Sequence, residues 1–507
     1  MLNRLTIKRQ IYKSERGIIM EWEKLLSNET LVLREEQSAY FDKYPMEDLE
    51  KDYKAIISSA AFRRLQDKTQ VFPLDKSDFV RTRLTHSLEV STIARQLGIM
   101  VTKKKEENRD SVLTRAMKDE KIANKIPSAL SCAGLLHDIG NPPFGHFGEV
   151  VIGEWYEKEF EKSGFRYKGR TVGQMLNDRM KKDLSNFEGN AQALRILSKI
   201  RNKEVNHEIN LTSGVISALI KYPTDSVSVK NSKDPDIRKH KLGYYLAEEK
   251  SFREISRETG TCLNAGNVAR HPLAFLMEAA DDIAYATADL EDAYKKKLFT
   301  MEEFTAFFER KLNGIPNSYM KGKSQKLLDD LKIRIEKGGK TAEGKLIAFQ
   351  NWMDFARSWF MYCTAYSFYE NYEQIMEGKY NRELLEGTFH EQSVKILKDA
   401  MKEYVYGDPE IVKLELAAKK IIYSLLDDFA YAVIYWEAEE EGKYELSKAD
   451  KKLCGLIPDN LKEDYNHAKT EDEAYNLYLR FMMVNDFISG MTDSYAKNLY
   501  QELNGYR

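Results

Sequence analysis

At 507 residues the chain can bury a large core, and length alone suggests two to four domains. Its 78 basic and 80 acidic residues leave a formal net charge of −2, which excludes a global electrostatic pull toward nucleic acid or membrane but not a local basic patch. Apolar residues at 42% and charged ones at 31% suit a soluble globular protein, with no apolar run near the ~18 residues a bilayer span needs.

The first segment, MLNRLTIKRQIYKSERG, scatters its charges and lacks an apolar h-region, so it does not read as a secretory signal. Standing before Met20-Glu21-Trp22, it reads as an appendage or an alternative start. Cys132, Cys262, Cys363 and Cys454 form no CxxC pair, which argues against a disulfide framework or a zinc knuckle. The cytoplasm is the expected compartment.

Helical spacing recurs along the chain, and strand-like alternation is almost absent. His86, Val90, Ile93 and Leu97 fall on one helical face, and Lys402 to Trp436 and Glu471 to Leu503 read as further helices. Polar stretches at Thr102–Ile126, Gly314–Lys345 and Glu437–Ser447 read as loops or linkers. The expected class is all-α: an N-terminal arm over 1–54, a helical core over 55–297 and a C-terminal helical region over 298–507 packed on that core.

In chain order, the first chemical segment is RTRLTH, ending at His86. The ring should point inward along the Val90/Ile93/Leu97 stripe, as a ligand or as a core histidine bonded to a carbonyl. Arg83 shares its face and could fork onto a phosphate. A solvated face is the competing reading for Arg83 and more so for Arg81. LLHD follows, with Pro127-Ser128 as the expected helix start and Gly140 and Pro142-Pro143 as its stop. His137 and Asp138 at a helix end can converge on one cation, although an isolated HD pair is commonly just a surface His beside an acid.

GHFGE then places His146 and Glu149 at i, i+3, a spacing that lets the carboxylate orient an imidazole for general acid/base work. In the helix expected from about Pro272, Asp281 shares a face with Met277, Ala280, Ala284, Tyr285 and Ala288. A carboxylate on an apolar stripe costs several kcal/mol unless it is paired or metal-bound. Asp282 turns toward Glu278 and suits a solvent-facing or supporting role. Two imidazoles and two carboxylates without thiolates suit Mg²⁺ or a divalent transition ion rather than structural zinc.

RRLQDKTQVFPL (63–74), RTRLTHSLEV (81–90), LLHDIGNPPFGHFGE (135–149), EAADDIAYATADLEDA (278–293) and ISGMTDSYA (488–496) together resemble the bacterial deoxyguanosinetriphosphate triphosphohydrolases. The resemblance runs from about Trp22 to the C-terminus. It implies an all-α fold around an HD core and hydrolysis of a dNTP to deoxynucleoside and triphosphate. By this resemblance His86, His137, Asp138 and Asp281 are the ligands of one divalent metal, Mn²⁺ or Mg²⁺ first, with Fe²⁺ and Co²⁺ as further candidates.

The same resemblance makes His146 the catalytic histidine, with Glu149 beside it. Gln70 and Asp289 would hold the sugar 3′-hydroxyl, Tyr285 would pack on the deoxyribose, and Arg83 would meet the α-phosphate. Lys221, in LIKYP, resembles a phosphate lysine, with Lys241 a second. It further implies a homo-oligomer, a hexamer, and single-stranded DNA as a modulator. The aromatic-rich C-terminal half (Trp352, Trp359, Phe360, Tyr366, Phe368, Tyr369) agrees with assembly if those rings are not simply core. Asp281, Tyr285 and Asp289 at i, i+4, i+8 would form a ruler from metal to sugar. The competing functions are an HD phosphodiesterase or nucleotidase on another phosphorylated substrate, and a non-catalytic nucleotide- or DNA-binding regulator.

Overall fold

The computed structural model describes residues 19–31, 46–75, 77–102, 120–199, 209–230, 232–264, 266–339, 341–440 and 444–506. The N-terminal appendage up to residue 18 lies outside the described residues. The architecture is all-α, as the periodicity predicts. Among the helices that build it are α1 (Asp48–Ser58), α2 (Arg83–Thr102), α3 (Glu120–Leu136), α4 (Gly145–Glu161), α5 (Gly189–Ser198), α6 (Pro272–Lys295), α7 (Met301–Asn313), α8 (Ser318–Gly338), α9 (Ala342–Glu370), α10 (Glu391–Tyr404), α11 (Pro409–Ala432), α12 (Glu473–Ser489) and α13 (Asp493–Leu503). Among the described residues, strands occur only as two short antiparallel pairs.

The apolar residues form two cores. The first gathers Val90, Leu97, Leu130, Leu136, Ile283 and Leu290 from α2, α3 and α6, with Leu331, Trp352 and Leu397 from α8, α9 and α10. The second joins α4 to α11 and α12 through Ile152, Trp155, Ile422, Phe429, Phe481 and Ile488. The chain therefore leaves the first core after Ile139 and enters the second at Phe144, the N-cap of α4. The loop between them is where the two cores meet. α2 and α3 are the most extensively packed pair. Their close approach depends on Gly134, where a Cβ would fall 2.6 Å from the Ser91 Cα.

All three expected loops are helical in part. Within the described residues α3 runs from Glu120 with Pro127 inside it, so Pro127 is not its start; residues 103–119 lie outside the described residues. The stretch 314–345 is mostly α8, whose polar surface hides the buried row Ser324, Leu327, Leu328 and Leu331. The third expected loop holds one helical turn, Trp436–Glu440, and is without regular structure over 444–447, while residues 441–443 lie outside the described residues. Of the aromatics in the C-terminal half, Trp352, Phe360 and Phe368 are core, whereas Trp359, Tyr366 and Tyr369 are exposed. None of the four cysteines, all among the described residues, is in a disulfide. No described helix is long and apolar enough to cross a membrane.

Candidate metal centre and active site

The first turn of α2, the end of α3 and the middle of α6 converge on one point. His86, His137 and Asp138 each offer a ligand atom, and those atoms lie within 4.8 Å of one another. Asp281 reaches the cluster from α6, with Oδ1 3.1 Å from His86 Nε2 and 3.5 Å from His137 Nε2. His137 Nδ1 donates to the Gly134 carbonyl at 2.8 Å. A carbonyl only accepts, so the proton is fixed on Nδ1 and the buried, unpartnered Nε2 faces the carboxylates. This is the outer-sphere bond that metal-binding histidines use to fix their tautomer.

The electrostatics agree. Burial alone would push the His137 imidazole down, but Asp138 and Asp281 outweigh it and raise it to about 10. The cluster thus favours positive charge at that point, a proton or a cation. Burial would raise Asp281, but Lys221 and His137 hold it well below the usual carboxylate range. Burial likewise opposes Asp138, which Arg83 and His137 hold well below that range. Asn141 Nδ2 donates to Asp138 Oδ1 at 2.7 Å and fixes its rotamer. The donor set of two imidazoles and two carboxylates fits a divalent cation.

His146 and Glu149 start α4. His146 Nδ1 lies 2.8 Å from Glu149 Oε2, while Glu149 Oε1 accepts the Gly189 N–H at 2.9 Å. The carboxylate is thereby locked and the ring Nε2 is left free; the His146 side chain is 72% exposed. Glu149 raises His146 above the ordinary histidine value. Phe144, the N-cap of this helix, sits in the left-handed region at φ 62°, ψ 18°, a conformation costing roughly 1–2 kcal/mol for a residue with a Cβ. Gly145 follows at φ 61°, and a Cβ there would fall 2.5 Å from Arg83 Nη2, so glycine lets the arginine pass.

The remaining expected residues separate into groups. Arg83 is buried and paired with Asp138, so the solvated-face reading fails for it. Arg81 is not a solvated residue either. It forms a clasp to α6, bonding Glu89, the Ala288 carbonyl, Glu291 at 3.0 Å and Asp292 at 2.5 Å. Lys221 Nζ lies 3.1 Å from Asp281 Oδ2 and 2.7 Å from Glu278, directly behind the metal cluster. Lys241 pairs with Glu188 at 3.2 Å and lines, with His146, Glu149 and His240, a cleft of about 520 Å³.

Asp289 is buried with both carboxylate oxygens unpartnered, and Gln70 Oε1 is likewise buried and unpartnered. Burial first, then Asp292, raise Asp289 well above the usual carboxylate range. Tyr285 lies between Asp281 and Asp289, half-buried. Asp282 turns away from the cluster to Lys398 at 2.6 Å. Residues not foreseen are Lys68, Asn141, Glu188, Glu278 and Asp493. Lys68, Asn141, Glu278 and Asp493 fall inside four of the quoted motif segments, which is the available signal; Glu188 falls in none.

An all-α core carrying paired histidines and aspartates at this helix junction defines an HD phosphohydrolase. Residues 83–209 match the HD domain, and residues 388–502 match the phosphohydrolase-associated domain. The chain is 43% identical to the deoxyguanosinetriphosphate triphosphohydrolase-like protein of Listeria monocytogenes, over 96% of this chain and 100% of that one. It is 32% identical to the like-named protein of Synechocystis sp., over 96% and 99%. It is 30% identical to the deoxyguanosinetriphosphate triphosphohydrolase of Yersinia enterocolitica, over 90% and 93%. The chain belongs to the deoxyguanosinetriphosphate triphosphohydrolase family and is a hydrolase. An HD domain implies a divalent metal, and the cluster at His86, His137 and Asp138 fits one.

Proposed function

We propose that this protein hydrolyses a deoxynucleoside triphosphate, dGTP before the others, to deoxynucleoside and inorganic triphosphate. The observation that carries the reading is the run Asp281, Tyr285, Asp289 along α6. It leads from the metal cluster to a buried carboxyl without a partner. An unpaired buried polar group costs about 1–3 kcal/mol, which a ligand hydroxyl would recover. Arg81 ties the chain just before α2 to the same end of α6. Thr69 bridges Thr82, which brings the Thr69–Gln70 segment to that end as well. Burial favours the neutral Asp289 carboxyl, which can both donate to and accept from a sugar 3′-hydroxyl, with Gln70 beside it. The preference for dGTP rests on the resemblance and on the names of the relatives.

A divalent ion held by His86, His137, Asp138 and Asp281, Mn²⁺ or Mg²⁺ first, with Fe²⁺ and Co²⁺ as further candidates, would supply Lewis-acid polarisation of phosphoryl oxygens. The chain's own groups do the rest. Lys221, beside Asp281, and Lys241, in the cleft with His146, are the lysines that would neutralise a triphosphate. Arg83 is poised to exchange part of its pairing with Asp138 for an α-phosphate oxygen. Glu149 holds the proton on His146 Nδ1, so Nε2 is the nitrogen that gives or takes the proton at the scissile bond. Tyr285 covers the sugar.

The assembly we infer is a homo-oligomer, a hexamer by the resemblance. On α9, Trp359, Tyr362, Tyr366 and Tyr369 recur at helical spacing and are all exposed, which supports a contact face. Single-stranded DNA as a modulator and a cytoplasmic location belong to the same reading. The test is product analysis with each dNTP and NTP in the presence of Mn²⁺ or Mg²⁺. Triphosphate released from dNTPs supports the proposal; pyrophosphate or phosphate as the product overturns it.

A further inference from the structure

A single buried carboxylate joins the two segments that carry Gln70 and His146. Asp493 opens α13, with Thr492 as its N-cap, and is only 2% exposed. Its Oδ1 accepts the Phe144 N–H at 2.9 Å. Its Oδ2 accepts the Thr69 N–H at 3.0 Å and also the Thr69 hydroxyl. Phe144 is the left-handed N-cap of α4, two residues before His146, and Thr69 immediately precedes Gln70. Lys68 repeats the connection, its Nζ donating to the Asn141 carbonyl at 2.6 Å and the Ser489 carbonyl at 2.7 Å.

We propose that Asp493 is a positioning residue for the active site. It sets the distance between the sugar-side segment at Thr69–Gln70 and the His146 segment through its two carboxylate oxygens, with Lys68 holding the same junction from behind. The physical reason is geometric. A carboxylate is rigid and acceptor-only, so its oxygens stay a fixed distance apart and both can be filled by donors from different segments. Asp493 itself bonds only the Thr69 and Phe144 segments and touches none of the metal donors His86, His137, Asp138 and Asp281, so its two oxygens act first on the sugar contact and the reacting histidine. Catalysis is sensitive to such placement, because small displacements of a reacting group carry large rate penalties. The assignment rests on the proposed dNTP chemistry for its consequence, but not for the clamp itself.

The experiment therefore has two readouts on the full-length enzyme. In Asp493→Asn one clamp arm must fail, since an amide offers one acceptor where two are needed. Amide hydrogen exchange followed by mass spectrometry should show faster labelling of both 68–72 and 141–146, with α2 and α6 unchanged. Labelling confined to the start of α13 overturns the clamp whatever the substrate is. In the dNTP assay, Asp493→Asn should lower kcat/KM by 10-fold or more while retaining full metal content. The same change placed in a Gln70→Ala/His146→Ala background should cost less than 3-fold further, because the groups it positions are gone. Equal losses in both backgrounds indicate a merely structural role and overturn the positioning claim. If Asp493→Asn does not fold, Thr69→Val removes the hydroxyl arm alone and must give the same paired labelling, weaker in extent. A wild-type enzyme inactive on every dNTP defeats the proposed function, while the exchange readout still decides the clamp.

Discussion

His146 Nδ1 lies 2.8 Å from Glu149 Oε2, one helical turn away, and that bond leaves Nε2 as the nitrogen facing the cleft. Glu149 is itself held by the Gly189 N–H, so the ring is aimed by a carboxylate that cannot swing. The His146–Glu149 unit is the reactive element on this account. Removing the imidazole with His146→Ala should leave metal content intact and lower kcat by about 10²–10⁴-fold, the usual worth of a general acid/base. A change under about tenfold contradicts the role.

The same pair gives a pH dependence with a definite sign. Glu149 raises the His146 imidazole above the ordinary histidine value, and His146 in turn lowers Glu149 against its burial. Glu149→Gln removes the negative charge, so the inflection assigned to His146 in kcat/KM against pH should move to lower pH. The NMR titration of the His146 ring should shift the same way. An inflection that stays in place shows that another group controls it.

Metal binding separates two adjacent acids. Asp281 touches both imidazoles, whereas Asp282 points to Lys398. Asp281→Ala should lose metal and activity together. Asp282→Ala should keep the metal and lose roughly 1 kcal/mol of stability, from leaving Lys398 without its partner. Elemental analysis showing full occupancy in Asp281→Ala contradicts the ligand assignment.

How much of this was legible in the sequence depended on the range of the interaction. His137-Asp138 and His146/Glu149 are local pairs, and helical spacing alone put Asp281, Tyr285 and Asp289 in line. Lys68 and Asp493 were not legible as structural elements, because their partners lie far away in sequence, as in the bond from Thr69 to Asp493. Arg81 looked like solvated surface, and only the fold shows that its partners Glu291 and Asp292 face it. The stretch 314–345 reads as a polar loop because α8 buries only a narrow row of residues, and its remaining Lys, Asp and Glu obscure the period. Pro127 suggested a helix start, yet it is tolerated within α3 at a point where the chain continues helical on both sides.

Asp289 offers a test of the sugar end that needs no substrate. Burial, then Asp292, raise it well above its ordinary value near 3.8. A carboxyl raised in the folded state binds its proton more tightly there than in the unfolded chain. Its contribution is fully present below the unfolded value and is lost as pH rises toward the folded one. Asp289→Asn should therefore flatten the fall of stability above about pH 4 and leave the melting temperature at pH 8 equal or higher. The variant should also lose turnover, as the hydroxyl contact is altered. A lower melting temperature at pH 8 contradicts the protonated, unpartnered carboxyl.

The most direct test of the central claim is the product and sugar preference of the wild-type enzyme, with dGTP and GTP compared in the same assay. Tyr285, one turn after Asp281, would cover the sugar, where a 2′-hydroxyl would lose water without gaining a partner. That penalty is roughly 1–3 kcal/mol, about 5- to 150-fold in kcat/KM. Inorganic triphosphate and deoxyguanosine are the expected products from dGTP, with GTP cleaved more slowly by that factor and the gap narrowed in Tyr285→Ala. Pyrophosphate or phosphate as the product, or equal turnover of GTP and dGTP, would contradict the central claim.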